Sequence, residues 1–468
     1  MPNSNCEPIP GRSNSLAERD IEYVLHPYTN LSAHIKTGPM IITKGEGIYV
    51  YDETGTKYIE GLAGLWCTSL GFNNKRLVEA ATMAMKKLPF YHSFGGKSHP
   101  TAIALAQRLM EMAPVPMSKV FFANSGSEAN DTAVKIIWYI NNALGLPEKK
   151  KIIAREKSYH GVTLMTAGLT GLPNNHRDFD LPLDRVLHTD CPHYYRYSVV
   201  GESEEEFATR CAESLRKLII AEGPETIAAF FAEPVMGAGG VIPPPATYFK
   251  KVQAILEEHN ILFVVDEVIC GFGRTGNMFG TETYNLKPDM ITVAKALSSG
   301  YLPISALMIS EGIFDSMLLE SKKVGVFSHG YTYGGHPVPC AVALETLSIY
   351  EEMNIVGQVQ ATAPVLQNGL AKLAGHPLVG EARGVGLLGA LELVKDKETR
   401  DTFKVSDGVG ATLAARAQIN GLISRVMGDS LAFAPPLIIN TDQIQEMLAV
   451  VKKSLDETLD ILVNNGLK

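Results

Sequence analysis

Several features are scarce or missing in this sequence of 468 residues, and each absence excludes a class of protein. Six cysteines are scattered without a Cys-x-x-Cys pair, which indicates neither a metal site nor a disulfide framework. Apolar runs such as Ile261–Val265 are far shorter than the roughly 20 residues that cross a bilayer. The 42 basic residues are outnumbered by 50 acidic residues. We therefore expect no metal, no membrane and no nucleic acid among its partners.

The start of the chain is polar and lacks the apolar stretch of a signal peptide, so we expect a cytoplasmic protein. Hydrophobic residues make up 46% of the chain and charged residues 20%, which is ordinary for a globular protein with a large core. At roughly 150 residues per domain, this length predicts two or three domains. Several cysteines lie in apolar segments, where a reduced core thiol is expected. The six are Cys6, Cys67, Cys191, Cys211, Cys270 and Cys340.

Short apolar segments alternate with amphipathic ones through the middle of the chain. The apolar segments have four to six residues each and are apolar on both faces, which is typical of parallel strands covered by helices. The predicted strands are Lys119–Ala123, Lys151–Ala154, Ile227–Ala232, Ile261–Val265 and Met290–Ala294. The predicted helices are Asn130–Ala143, Glu204–Ala221 and Tyr248–His259. The fold class is therefore α/β.

The two ends of the chain have a different pattern. Gly47–Tyr58 predicts an antiparallel hairpin around a Glu-Thr-Gly turn. From about Thr332 onward we expect a long helix, short strands and a last amphipathic helix capped by Thr441. The helix is Val338–Met353, and the strands are Gly384–Glu392, Leu422–Arg425 and Ala432–Ala434. These parts would form a smaller α+β domain, and a cleft beside it is the natural place for a small-molecule site.

The segment Phe121–Asn130 passes from a strand through Ser-Gly-Ser into a helix. Ser125 and Glu128 have the spacing of a capping box. The free backbone N–H groups of such a helix start also suit a phosphate or another anion. An ordinary capped helix is the alternative, and this segment alone does not exclude it.

A second glycine-rich segment, Gly271-x-Gly273-x-x-Gly276, matches the dinucleotide-binding fingerprint and follows a strand. The fingerprint requires a helix directly afterwards, whereas Asn277–Pro288 has no helical periodicity. It also requires an acid at the end of the next strand, whereas Asp289 precedes that strand. We therefore reject a dinucleotide site.

Two charged residues stand at the carboxyl ends of buried strands. Asp266 ends one apolar strand, and Lys295 directly follows the next. Buried charges are costly unless they are paired, so the two residues could form a structural ion pair. The alternative is that each serves one ligand, Asp266 at a protonated ring nitrogen and Lys295 as a nucleophilic amine.

A phosphate seat, a carboxylate for a ring nitrogen and a strand-end lysine together suit pyridoxal phosphate. Tyr159-His160-Gly161 follows another strand and should reach the same edge of the sheet. Tyr159 could stack on the pyridine ring there, or it could be a half-buried core tyrosine.

Six segments resemble one enzyme family: NSGSEAND (124–131), YHGVT (159–163), AEPVMGAGGVIPPP (232–245), DEVICGFGRTG (266–276), AKALSSGYLPI (294–304) and HGYTYGGHP (329–337). From about Tyr28 to its end, the chain resembles class III pyridoxal-phosphate aminotransferases of fold type I, in the ω-amino acid or amine:pyruvate group. The resemblance implies a large cofactor-binding domain with a mostly parallel sheet over residues 66–331. Residues 1–65 and 332–468 would form the smaller α+β domain. It also implies a homodimer with shared active sites, with a tetramer left open.

The resemblance implies a role for each matching residue. Lys295 would form the Schiff base with the cofactor and shuttle the proton, and Asp266 would keep the pyridine nitrogen protonated. Glu233 would orient Asp266 or neighbouring polar groups. Val268 would pack on the ring face opposite Tyr159. The implied cofactor-binding residues are Ser125, Gly126, Ser127, Tyr159, His160, Asp266, Val268, Lys295 and, reaching the phosphate of the partner subunit, Thr332.

The implied substrate-binding residues are Trp66, Phe94, Tyr159, Tyr331 and Arg425. Arg425 would pair with a substrate carboxylate and swing away from an uncharged amine. Without the family, Trp66 reads as a core residue and Arg425 as a surface residue. The implied reaction moves an amino group from a primary amine or ω-amino acid to a keto acid. Pyruvate is the favoured acceptor, in a ping-pong mechanism through pyridoxamine phosphate.

The chain departs from the family pattern at a few positions. Ala294 stands where related transaminases usually have serine, and Tyr331 replaces a usual phenylalanine. Gly334 replaces serine or alanine, and Pro339-Cys340 replaces a pair of small residues. Lys295 and Thr332 are intact, so we expect the departures to affect substrate range rather than chemistry.

A decarboxylase or an aminomutase on the same scaffold is the alternative activity, because it would share Lys295 and Asp266. The pair Trp66 and Arg425 favours transamination. A binding protein without activity would normally lack the lysine or the phosphate seat, and both are present.

Overall fold

The computed structural model describes residues 15–468. Cys6 and the polar start of the chain, residues 1–14, lie outside the described residues. Within the described part, no helix is long and apolar enough to cross a membrane. The five described cysteines are free thiols; four are buried and Cys67 is half-buried.

The N-terminal part contributes three short helices and a small sheet. The elements are α1 (Leu16–Tyr23), α2 (Leu31–Thr37), α3 (Ala63–Trp66), β1 (Ile42–Glu46), β2 (Tyr49–Asp52) and β3 (Lys57–Glu60). The predicted hairpin is formed by β2 and β3, which pair antiparallel. The Asp52 carboxylate accepts hydrogen bonds from the backbone N–H groups of Thr54 and Thr56 and so closes the turn.

The central part alternates strands and helices, as the sequence pattern predicts. The strands are β4 (Lys119–Ala123), β5 (Lys151–Arg155), β6 (Val186–Thr189), β7 (Ile227–Ala232), β8 (Leu262–Asp266), β9 (Met290–Val293) and β10 (Ser305–Ile309). The helices are α4 (Lys75–Lys87), α5 (Pro100–Met112), α6 (Gly126–Ala143), α7 (Leu164–Leu169), α8 (Tyr194–Tyr197), α9 (Glu204–Glu222), α10 (Tyr248–Glu258), α11 (Gly280–Thr283) and α12 (Glu311–Val324).

The seven strands form one sheet in the order β4-β10-β9-β8-β7-β5-β6. Strands β6, β5, β7, β8 and β9 are parallel, and β10 runs antiparallel to both of its neighbours. The prediction of a mostly parallel central sheet is confirmed.

The prediction for Lys119–Ala123 is wrong in one respect. This strand is not buried between parallel neighbours but lies at the sheet edge, antiparallel to β10. The pattern missed β10, which inserts between β4 and β9, and β4 is accordingly only partly buried.

Helices cover the sheet on both faces because neighbouring strand residues point to opposite sides. In β7, Phe230 packs with residues of α9 and α10, and Phe231 packs with residues of α6 and α12. Both side chains are fully buried. Strands that are apolar on both faces therefore form a three-layer core, which fixes the loops at the strand ends.

The C-terminal part forms a second small sheet and four helices. The helices are α13 (Pro337–Glu352), α14 (Ile355–Leu373), α15 (Val409–Ile419) and α16 (Thr441–Asn464). The strands are β11 (Val379–Val385), β12 (Leu388–Leu393), β13 (Leu422–Ile423), β14 (Arg425–Met427) and β15 (Ser430–Phe433). The sheet order is β11-β12-β15-β14, while β13 joins the N-terminal sheet beside β3.

Local chemistry shifts several predicted boundaries. Gly384–Glu392 is a hairpin rather than one strand, because the chain turns at Gly386, whose φ is +58°. The predicted strand at 422–425 is divided between two sheets. The cap of the last helix is Asn440 rather than Thr441, since the Asn440 side chain accepts from the N–H of Gln443. α6 begins at Gly126, earlier than predicted, because Ser125 caps it.

A buried ion cluster joins the second small sheet to the loop that follows β7. Arg383 donates to the carbonyl oxygens of Gly240 and Val241, and its guanidinium lies 2.8 Å from carboxylate oxygens of Glu381 and Glu392. Burial alone would raise the pKa of Glu392, but the guanidinium groups and the Ser430 hydroxyl hold it at about 2.

The predicted domain boundaries, at residues 65 and 331, stay predictions.

Replacing Arg383 by alanine should lower the free energy of unfolding by about 3–5 kcal/mol, because Glu381 would lose its guanidinium partner and Glu392 would keep only that of Arg196. The matched control is Arg76→Ala, since Arg76 also contacts two carboxylates, of Glu345 and Glu352, but is half-exposed. Denaturant unfolding should show a much smaller change for the control. Equal changes in the two variants would contradict the stabilising role of the cluster.

Candidate active site

The carboxyl ends of β4, β5, β7, β8 and β9 meet at one edge of the large sheet, because these strands run in the same direction. A cavity of about 390 Å³ lies at this edge. The predicted site residues that line it are Trp66, Ser125, Gly126, Ser127, Tyr159, His160, Glu233, Asp266, Val268, Lys295 and Arg425. Charged groups at strand ends therefore converge on one cavity, as expected of an open α/β sheet.

Asp266 is buried at the end of β8, and its carboxylate is held by three groups. Oδ2 lies 2.8 Å from the Asn130 side-chain nitrogen and 2.9 Å from His160 Nδ1. Oδ1 accepts from the N–H of Val268 at 3.0 Å. Asn130 also donates to the carbonyl oxygen of His160, so α6 and the loop after β5 are fixed together at this carboxylate.

Lys295 follows β9, and its φ of +46° lies in the left-handed region that a residue with a side chain seldom adopts. Among residues 15–468 its ammonium group forms neither a hydrogen bond nor an ion pair. The predicted alternative of a structural ion pair with Asp266 is therefore wrong for this structure. Burial lowers the pKa of Lys295, and the charge of Asp266 opposes that effect. The result is an amine that loses its proton more readily than an exposed lysine.

Glu233 is buried at the end of β7 and binds backbone rather than Asp266. Its two carboxylate oxygens accept from the N–H of Tyr159 at 3.0 Å and from the N–H of Gly237 at 2.9 Å. Burial raises the pKa of Glu233. Of its two expected roles, the orientation of neighbouring polar groups is the one this geometry favours, since it positions the Tyr159 backbone.

The start of α6 has the expected helix cap in a modified form. Ser125 Oγ accepts from the N–H of Glu128, but the Glu128 carboxylate accepts from the N–H of Asn124 rather than that of Ser125. Ser127 Oγ accepts from the N–H of Val162, which leaves its hydroxyl hydrogen free to donate. Backbone N–H groups of this first turn and the Ser127 hydroxyl can therefore receive an anion.

The residues around the cavity fit pyridoxal phosphate in chemistry and in space. A Cβ atom at Gly126 would lie 3.0 Å from Val268, so glycine keeps the helix start close to the cavity wall. The donor set includes a helix start suited to an anion, a buried carboxylate with a free acceptor position on Oδ1 and the half-buried Lys295 amine, which has no partner among residues 15–468. Tyr159 and Val268 supply the flanking surfaces for a planar ring.

Three aromatic residues and one arginine also line the cavity: Tyr28, Trp66, Tyr159 and Arg425. The Arg425 guanidinium lies 5.6 Å from the centre of the Tyr28 ring. Asn175 donates to the Tyr28 hydroxyl at 2.7 Å. Burial and the neighbouring Tyr28 hydroxyl raise the pKa of Tyr159. Trp66 is buried and also adopts a positive φ of +65°.

Three predicted site residues lie apart from this cavity. Phe94 and Tyr331 line a second cavity, of about 450 Å³, together with the edge strand β4. Thr332 is exposed and lines neither. The prediction that Thr332 reaches the partner subunit's site stays a prediction.

Asn130 and Tyr28 are two site residues that the sequence pattern did not identify. Asn130 lies one helical turn after the cap of α6, on the face that packs toward β8, and is buried. A polar residue among apolar ones on that face is a usable signal. Tyr28 lies in the connection between α1 and α2, and its sequence context gives no sign of its place in the cavity.

Comparison with known proteins agrees with this geometry. The family described as Aminotransferase class-III matches residues 31–455. Gamma aminobutyrate transaminase 3, chloroplastic, of Solanum lycopersicum is 55% identical over 93% of this chain and 84% of its own length. Gamma-aminobutyrate transaminase 1, mitochondrial, of Oryza sativa subsp. japonica is 54% identical over the same shares. Because both names are organellar, the comparisons do not support the predicted cytoplasmic location, which stays a prediction.

Solved structures of transaminases superimpose closely on 90% or more of the chain. The omega transaminase from Pseudomonas jessenii in complex with PMP has a TM-score of 0.94 at 53% identity, covering 95% of this chain and 98% of that chain. A transaminase solved with L-Ala has a TM-score of 0.89 at 56% identity, covering 90% and 100%. The family match and the relatives cover almost the whole length of the chain, and the site has the donor groups that the family's cofactor requires. The chain belongs to the class III aminotransferases, which are fold type I enzymes that depend on pyridoxal 5'-phosphate.

Proposed function

We propose that this enzyme transfers the amino group of an ω-amino acid, with γ-aminobutyrate as the model donor, or of another primary amine to pyruvate. The observation that carries this proposal is the position of Arg425. Its guanidinium is half-buried at the cavity beside Tyr28, and no carboxylate of residues 15–468 lies within 4.0 Å of it. A free guanidinium in a partly apolar cavity is suited to bind a substrate carboxylate.

The number of cations in the cavity favours substrates with one carboxylate. Among the described lining residues, Lys295 and Arg425 are the only lysine and arginine. Because Lys295 would take part in the reaction itself, the Arg425 guanidinium is the one cation of the described lining residues that remains to bind a substrate carboxylate. Pyruvate and γ-aminobutyrate each carry a single carboxylate, whereas a dicarboxylic keto acid would place a second one without a cation.

The similar proteins support the same substrates. The plant relatives are named as γ-aminobutyrate transaminases, and one structural neighbour was solved with L-Ala, the amino acid that corresponds to pyruvate. Primary amines without a carboxylate stay within the proposal, because the neighbours are named omega transaminases.

Bound pyridoxal phosphate supplies an electron-withdrawing ring that makes the carbon bearing the amino group acidic. The helix start at Ser125–Ser127 would hold the phosphate, and Asp266 would hold the ring nitrogen. Asn130 and His160 keep the Asp266 carboxylate in place. Tyr159 and Val268 would flank the ring, with Glu233 positioning the Tyr159 backbone.

Lys295 would move the proton that the reaction requires. Its amine, which has no partner in the described part of the chain and is made less basic by burial, would take the proton from the substrate carbon that bears the amino group and would supply one to the acceptor carbon in the second half-reaction. Arg425 would bind the carboxylate of each substrate in turn. Trp66, which is buried, and Tyr28 form walls of the same cavity.

We further propose a homodimer with shared sites, which would give Phe94, Tyr331 and Thr332 a function. All three lie outside the cavity of Lys295 in their own chain. Phe94 is exposed, and so are Tyr91 and Tyr333, which lie close to it in the sequence or close to Tyr331. Burial of this aromatic surface would favour association.

The proposed substrates can be tested through the two half-reactions. The visible absorption of the bound cofactor should disappear when γ-aminobutyrate is added to the holoenzyme and return when pyruvate is added. One equivalent of pyruvate should be consumed, and one of alanine formed, for each amino group transferred. A release of carbon dioxide, or turnover of the donor without pyruvate, would instead indicate the decarboxylase or aminomutase alternative.

Replacing Lys295 by alanine should reduce turnover by at least about 10²–10⁴-fold, the usual contribution of a positioned proton-transfer group. Borohydride should no longer attach the cofactor to the chain, as mass spectrometry of the peptide around position 295 would report. Lys452→Ala is the matched control, since Lys452 is exposed on the last helix. Retained turnover and labelling in the Lys295 variant would refute this role.

Replacing Arg425 by glutamine should raise KM about 10–100-fold for pyruvate and γ-aminobutyrate, because a charge-assisted hydrogen bond is lost. The rate of cofactor conversion by an aryl-alkyl amine should change little, since that donor has no carboxylate. Arg76→Gln, on the half-exposed arginine of α4, serves as the control. Equal losses with charged and uncharged donors would show that Arg425 does not recognise the carboxylate.

A further inference from the structure

Three potential metal ligands meet in the N-terminal segment, outside the catalytic cavity. Asp20 belongs to α1, His34 belongs to α2, and His26 lies in the connection between the two helices. Asp20 Oδ1 is 2.7 Å from His26 Nε2 and 3.3 Å from His34 Nε2. The two imidazole rings lie 4.3 Å apart, centre to centre.

Each of the three residues offers one donor atom, and these atoms lie close together: Asp20 Oδ1, His26 Nε2 and His34 Nε2. The three donor atoms all lie within 4.8 Å of one another. The side chains are largely buried, with 18%, 26% and 11% exposure for Asp20, His26 and His34. Two imidazole nitrogens and a carboxylate oxygen are the donors that zinc and similar divalent cations prefer. Small side-chain adjustments would bring them to coordination distances, because all three already converge.

We propose that Asp20, His26 and His34 bind a divalent cation of the zinc type. Three protein ligands leave the fourth tetrahedral position to water. The scattered cysteines predicted no metal, but this donor set contains no cysteine. The spacing Asp20…His26…His34 places its members on separate elements, so the sequence alone does not reveal that they meet.

The surrounding segment has few other contacts to hold it. α1 has eight residues, of which Ala17 is buried, and α2 has seven residues with none buried. Helices of this length are not stable by themselves in water. A cation bound by α1, the connection and α2 would link them, and closing this loop would stabilise the folded segment.

The linked segment carries Tyr28 into the catalytic cavity. Tyr28 lies between His26 and His34, contacts the Arg425 guanidinium and accepts a hydrogen bond from Asn175. Binding of the cation would therefore hold a wall of the substrate pocket. This consequence rests on the proposed function, whereas the binding of the cation does not.

Equilibrium dialysis of the holoenzyme with Zn²⁺ tests the site directly. We expect one Zn²⁺ per chain beyond the binding that remains in Asp20→Asn and His34→Gln. Each variant should weaken affinity by more than the about 10–100-fold that loss of a merely supporting residue costs in metal sites. The matched control is His259→Gln, because His259 also lies beside a carboxylate but outside the cluster. Unchanged binding in both cluster variants would overturn the proposal.

Two further measurements distinguish this site from binding elsewhere. With Cu²⁺ as the probe, electron paramagnetic resonance should show coupling to two imidazole nitrogens, and His26→Gln should reduce that to one. Trypsin should cleave after the exposed residues Arg19 and Lys36 more slowly with Zn²⁺ in the parent protein, but not in His34→Gln. The absence of nitrogen coupling would mean that the three residues are only a hydrogen-bonded cluster. Neither readout uses transaminase activity, so failure of the proposed substrates would leave both informative.

Discussion

The buried carboxylate of Asp266 determines how the parts of the catalytic cavity are placed. An ionised carboxylate at the end of an apolar strand is costly unless hydrogen bonds replace its water. Here those bonds come from α6 through Asn130, from the loop after β5 through His160 and from the backbone at Val268. Each of these elements also supplies a wall of the cavity, so one electrostatic requirement fixes the anion-binding helix start and the Tyr159 loop at once.

Burial shifts the pKa values of Glu233 and Lys295, at this edge of the sheet, in opposite directions. It raises the pKa of Glu233 and lowers the pKa of Lys295, so both move toward their neutral forms. The lysine gains the ability to take a proton, which the proposed chemistry requires. The Glu233 carboxylate oxygens instead accept hydrogen bonds from two backbone N–H groups.

Much of the fold could be predicted because its signals are local. Continuous apolar runs predict buried strands, and charges at their ends, as at Asp266 and Lys295, predict the edge that binds a ligand. β10 was missed, and its insertion beside β4 converts an expected inner strand into an edge strand. Asn130 and Tyr28 could not be assigned by spacing, because their partners are distant in the sequence. Asn130 contacts Asp266, 136 positions further along the chain, and Tyr28 contacts Arg425, 397 positions further along. The spacing of Ser125 and Glu128 predicted the cap of α6, and Ser125 does accept from the N–H of Glu128. It did not predict that the Glu128 carboxylate would accept from the N–H of Asn124.

The backbone around the cavity has strained conformations at three residues, and the amount of packing that holds each of them in place differs. Tyr28, Trp66 and Lys295 all line the cavity with positive φ, a conformation that costs about 1–3 kcal/mol for each residue that has a side chain. Lys295 follows a central strand of the large sheet, and Trp66 is fully surrounded by core residues. Tyr28 instead belongs to a segment with little buried surface. The cofactor end of the cavity is therefore rigid, and the substrate end depends on whatever holds the N-terminal segment in place.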